Sequence, residues 1–145
     1  MKNIEEILKE LDAIYEQNQG KDAEALMLKY LDEARREKEK SIELQLLNEL
    51  IGFYREASRP EDSYKVSREA IELGLEMGLE GTIPHATTLL NVGGAYRAAG
   101  RQKEALEYYT EAGRIYENKL PDNDMLIASL ENNIALVYQD RKSVV

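Results

Sequence analysis

Residues 89–112 read LLNVGGAYRAAGRQKEALEYYTEA, and the fold turns on this stretch. Apolar residues recur at helical spacing on both sides of Gly100, which marks a turn. Gly93 and Ala105 are small where two antiparallel helices of a hairpin must approach closely. Tyr96 and Tyr109 are large where that hairpin packs on itself and on its neighbour.

The same frame recurs along the chain. Tyr54, Tyr96 and Tyr138 are 42 residues apart, and Tyr15 lies 39 before Tyr54. Leu89, Val92 and Gly93 precede Tyr96; Leu47, Leu50 and Ile51 precede Tyr54; Glu131, Ile134 and Ala135 precede Tyr138. Ala105, Tyr109 and Ala112 follow Tyr96 where Ser63, Ser67 and Ala70 follow Tyr54. The first copy is degenerate, with Asp12 and Glu24 at small-residue positions, as suits a terminal cap.

The breakers complete the map. Gly20 and Gly100 mark turns, and each of the three prolines stands at an expected helix boundary. Ser58 with Glu61 reads as a capping box, and Asp122 as the N-cap of the last helix. Seven helices are predicted, roughly 2–18, 21–38, 41–57, 60–78, 84–99, 101–118 and 122–140. The expected domain is 1–140, with repeats near 4–38, 41–78 and 84–118, a half repeat at 122–140 and a tail at 141–145.

The Leu-x2-Val-Gly-x2-Tyr and Ala-x3-Tyr frames of residues 89–112 strongly resemble the tetratricopeptide repeat, TPR. The resemblance covers nearly the whole chain and implies an all-α, right-handed solenoid of about three and a half helical hairpins. The 42-residue period exceeds the usual 34 of the family and is similar to kinesin light chain-type and bacterial adaptor or regulatory arrays. The extra residues fall at Glu76–Thr82 and Ile115–Asp122. Such a family implies binding of a protein or peptide in the concave groove lined by the first helix of each hairpin.

Helix geometry then selects groove positions on the face away from the packed stripe. In the second repeat they are Gln45, Asn48, Glu49, Gly52 and Arg55; in the third, Thr87, Leu90, Asn91, Gly94 and Arg97. In the fourth they are Ser129, Asn132, Asn133, Leu136 and Gln139. Asparagine is a poor helix former whose amide pairs both donors and acceptors of a peptide, but it also satisfies groups between helices. Gly52 and Gly94 would let a ligand come close or would relieve packing; Arg55 and Arg97 would meet a ligand carboxylate or answer neighbouring glutamates. The carboxylate clamp of chaperone cofactors is not matched: Lys9 fits in part, but Ala13 and Glu49 stand where asparagine is needed.

Other chemistry finds little footing. A net charge of −9 disfavours nucleic acid and anionic lipid as partners, and the absence of cysteine removes disulfides and thiolate sites. No signal peptide or membrane span is read, so the expected location is cytoplasmic. His85 is the single histidine, and Asp122-Asn123-Asp124 lacks calcium-loop spacing. With no nucleophile–base–orienter set, the chain reads as no enzyme, with no metal and no cofactor. The tyrosine series reads as core, and EARREKEK (33–40) as a solvated, charge-laced face.

The final helix stands apart. Ile127, Leu130, Ile134 and Tyr138 form the stripe expected to cover the third hairpin, and Leu126, Leu136 and Val137 extend the apolar surface. Those last three mark a self-association surface, through which a homodimer would form, or a junction with further repeats. The leading expectation is a protein- or peptide-binding adaptor. A regulatory or sensor module of a larger protein, or a self-assembling oligomer, are its alternatives. The terminal Ser143-Val144-Val145 resembles a recognition tail only superficially.

Overall fold

The computed structural model describes residues 1–17 and 20–143. Seven helices follow one another among them: α1 (Ile4–Glu16), α2 (Gly20–Arg36), α3 (Lys40–Glu56), α4 (Pro60–Glu76), α5 (Ile83–Ala98), α6 (Gln102–Lys119) and α7 (Met125–Ser143). The terminal Val144 and Val145, and with them the supposed recognition tail, lie outside the described residues.

Each helix packs on the next, and α3 also packs on α5 and α5 on α7. The first helices of the hairpins therefore form a tight inner row. The second helices reach one another through long side chains, as where Arg35 of α2 meets Glu69 of α4 at 3.1 Å. In a solenoid the row of packed first helices, here α3, α5 and α7, forms the concave side.

Four turns close in one way. Lys38, Ser58, Gly78 and Gly100 adopt left-handed φ values of 58°, 56°, 73° and 81°. The next residue's N–H then returns to a carbonyl in the last helical turn: Glu39 to Ala34, Arg59 to Tyr54, Leu79 to Gly74 and Arg101 to Tyr96, each at 2.9 Å. Ser58 is thus a helix terminator, and the expected capping box does not form: the N-cap of α4 is Arg59, without a side-chain cap bond. The tight turn consumes Ser58 before it can face the α4 amides. Asp122 is likewise replaced as cap, because Asp124 accepts from the Leu126 N–H at 2.9 Å.

Two apolar clusters run through the molecule. One gathers Ile7, Leu11, Met27, Leu46, Leu47, Leu50 and Ile51 with Val92; the other gathers Leu89, Ala105, Tyr109, Tyr116, Ile127, Leu130 and Val137. Half-buried Ile71, Tyr96 and Tyr108 touch both. Tyr96 stacks between Tyr64 of α4 (4.7 Å) and Tyr108 of α6 (5.3 Å), so three helices share one aromatic column.

Helices α5 and α6 come close together at Gly93. A Cβ there would stand 2.5 and 2.7 Å from the Tyr109 ring, inside any tolerable contact. Gly93, read from the sequence as small where α5 and α6 approach, is small because the Tyr109 ring of α6 fills the space a side chain would take.

Candidate functional site

The inner row carries a groove of about 430 Å³ between α1, α3 and α5, lined by Asn48, Glu49, Gly52, Arg55 and Asn91 together with Tyr15, Phe53 and Glu56. Five residues selected by helical spacing thus converge on one concavity. Three lining residues were not selected. Tyr15 is 43% exposed, against its expected place in the core, and lines the groove instead. Phe53 and Glu56 flank the chosen register by one residue; being the chain's single phenylalanine was the one available hint for Phe53.

The asparagines act first on each other. Asn91 Nδ2 donates to Asn48 Oδ1 at 2.8 Å. Asn48 Nδ2 in turn donates to the Thr88 hydroxyl and to the Leu44 carbonyl, each at 3.1 Å. This chain of bonds spans α3 and α5 and uses both N–H groups of the Asn48 amide and one lone pair of its oxygen, which orders the groove floor. Asn91 keeps its carbonyl oxygen and a second N–H for an incoming group.

Charge divides the groove. At one end Asp12, Tyr15 and Glu49 crowd together, and burial followed by the Asp12 charge pushes the Glu49 carboxyl above the usual glutamate range. Burial likewise raises the Tyr15 hydroxyl, with Glu49 and Asp12 adding to it. At the other end stands the Arg55 guanidinium. Arg55 lies over Gly94, where an added Cβ would meet its Nη1 at 3.0 Å and the Tyr109 hydroxyl at 3.8 Å. A side chain at Gly94 would therefore press on Arg55, whereas Gly52, whose Cβ would meet only Arg55 Nη2 at 3.9 Å, faces open space. Burial pushes the Tyr109 hydroxyl up, and the charges of Arg97 and Arg55 partly oppose that shift. Arg97 Nη1 meets Asp140 Oδ2 of α7 at 3.5 Å.

The remaining selected positions are spread out. Gln45, Thr87, Ser129 and Asn132 are exposed; Leu90, Asn133 and Leu136 are half-buried. Gln139 is also exposed. Thr87 leans toward α6, its hydroxyl 3.1 Å from that of Tyr116. None of these lines the α1–α3–α5 groove.

The self-association surface needs correction. Val137 is fully buried, packed with Ile127 and Leu130 against the third hairpin, and is unavailable to a second copy. Tyr138, expected to cover that hairpin, is instead 54% exposed. The stripe on α7 runs 127, 130, 134, 137, and Tyr138 falls one residue off it. Met125 and Leu126 are also exposed, at 85% and 38%.

No group of three His, Asp or Glu side chains able to hold a metal ion occurs among the described residues. His85 is buried where α5 crosses α4, its Nδ1 3.4 Å from the place of a Cβ on Gly74. Nor, among those residues, is any helix long and apolar enough to cross a membrane.

A tetratricopeptide-repeat family model matches residues 42–118, a little over half of the chain. The crystal structure of BtubC (BKLC) from P. vanneervenii aligns with a TM-score of 0.84 at 21% identity, covering 95% of this chain and 55% of that one. The chain thus spans about half the length of that protein, and at this identity the likeness is one of fold. A search of curated proteins returns no match.

Proposed function

Because the chain belongs to the tetratricopeptide-repeat family, we propose that it is an adaptor that binds a segment of a partner protein in the α1–α3–α5 groove. Repeats of this family mediate protein–protein interaction in general. The observation that carries the finer reading is the convergence of Asn48, Glu49, Gly52, Arg55 and Asn91 on one concavity with Tyr15 and Phe53. Aromatic faces supply contact area at low entropic cost, Asn91 offers a free donor and acceptor to a peptide backbone, and the two charged ends orient the chain. The partner segment would place basic groups near Asp12 and Glu49 and acidic groups near Arg55.

Gly52→Leu tests this. The side chain enters open groove space and removes a mid-helix glycine, so the protein should become more stable while losing its ligand. Peptides selected from a displayed library on the wild-type chain should bind Gly52→Leu at least tenfold more weakly. Equal binding would remove the groove from the proposal.

A second reading, association of two copies, is favoured by the exposed Met125, Leu126 and Tyr138 on α7. Light scattering decides it: a strict monomer at high concentration sinks that reading and leaves the groove untouched.

A further inference from the structure

The 42-residue offset places Arg97 over Arg55, Arg101 over Arg59, Ala105 over Ser63 and Asp140 over Ala98. The two junctions between successive repeats can therefore be compared atom for atom. At the later junction the Arg97 guanidinium is met by the Asp140 carboxylate, which α7 supplies from across the interface at 3.5 Å. At the earlier one Ala98 stands in the place of Asp140, and the side chain ends at a methyl group.

Beside Ala98 lies a cavity of about 240 Å³, walled by Ala95 and Ala98 of α5 with the next residue Ala99, and by Arg55, Arg59 and Ser63 around the α3–α4 turn. Arg59 is already committed: it pairs with Glu24 at 3.0 Å and Asp62 at 2.9 Å, and lies over the Tyr54 ring at 4.7 Å. Those two acids are thereby answered. Arg55 has an ion pair with Glu56, its own neighbour in sequence, at 3.5 Å, and that glutamate is 78% exposed. A solvated pair of this kind is worth little and yields readily to a better-placed anion. Ser63 adds a second, independent sign. Its Oγ is buried, the residue being 1% exposed, and it has no hydrogen-bond partner. At the later junction the matching residue is Ala105, with no hydroxyl to satisfy, and the unpartnered buried atom there is Arg97 Nε, a donor that Asp140 leaves unmet. The open junction thus carries a guanidinium paired only with an exposed neighbour and a buried hydroxyl without a partner.

We infer that the cavity between the second and third repeats is a carboxylate-binding subsite, in which a partner's carboxylate takes the place that Asp140 takes one repeat later. Arg55 receives the charge, the Ser63 hydroxyl donates to it, and the methyl groups of Ala95, Ala98 and Ala99 line a short aliphatic stem. The ligand class is an aspartyl or glutamyl side chain, or a chain's terminal carboxylate. The inference deepens the groove proposal, since Arg55 lines both spaces, but it can fail separately.

The experiment is an NMR titration of the full chain with N-acetylglutamic acid α-amide as the side-chain source and N-acetylalanine as the terminal source. The corresponding neutral amides serve as controls. Saturable shifts are expected at the Ala98 and Ala99 amides and at the Arg55 Nε–H for at least one acid, and the stronger of the two identifies the source. Ala98→Asp should supply the carboxylate internally and abolish the shifts; Arg55→Gln should weaken binding at least tenfold. Both are surface changes whose folding is checked by circular dichroism. Absence of a saturable shift in the wild type, or shifts unchanged in both variants, overturns the subsite. If Ala98→Asp leaves peptide binding intact while Gly52→Leu abolishes it, the subsite falls and the groove stands; the opposite pattern rejects the groove and keeps the subsite.

Discussion

Helices α5 and α7 are written in the same frame and end in different states. Tyr96 of α5 is held in a three-ring stack, whereas Tyr138, its counterpart 42 residues on, is 54% exposed. Val92 is fully buried and its counterpart Ile134 only half so. Gly93 is pressed against Tyr109, whereas Ala135 at the same register is exposed. Helix α5 has α3, α4, α6 and α7 around it; α7 has α6 and the edge of α5. A position in a repeat thus acquires its energetic weight from the neighbour it meets, since each helix hides its apolar face only against another.

The contrast breaks first at Tyr109. Tyr109→Ala removes the fully buried ring that fills the Gly93 gap and should cost about 3–5 kcal/mol in urea unfolding. Gly93→Ala should cost about 1–3 kcal/mol, because the new methyl overlaps that ring. The reciprocal change Ala135→Gly should cost about 0.5–1 kcal/mol, the helix-propensity loss alone. If the Gly93 and Ala135 changes cost the same, the two helices are not distinguished by their neighbours.

Smaller effects sharpen the picture. Gly52→Leu should raise stability by about 1 kcal/mol, as its position is helical and open, unlike Gly93. Ser58→Gly relieves a left-handed residue in the turn and should gain about 0.5–1 kcal/mol by thermal melting. Tyr138→Ser should change stability by less than about 0.5 kcal/mol in the monomer. A much larger loss that appears only at high protein concentration would instead place Tyr138 in an interface between copies.

Much of this was legible from the chain. Gly93 and Ala105 were read as small residues at a close helix approach, and the structure sets Gly93 against the Tyr109 ring. Helix ends were less legible. Ser58 and Glu61 have capping-box chemistry, but the closing turn uses Ser58 at a positive φ, and spacing alone does not distinguish the two roles. At the groove, the register identified Asn48 and Asn91 without showing that they bond to each other. Arg55 and Arg97 looked alike because their flanking sequences are alike. Their difference lies in residues 98 and 140, which pair with them across helices and not along them.

The sequence by itself determined the repeat: its 42-residue period, its helical hairpins and the small residues where the helices of the third hairpin approach, all properties of one helix face or one turn. Only the tertiary structure decided which copies of that pattern are buried, which amides are spent on each other and which guanidinium faces an open cavity. The physical reason is that propensity and periodicity act within a few turns of one helix. Burial and pairing depend instead on distances between helices brought together from about 40 residues apart.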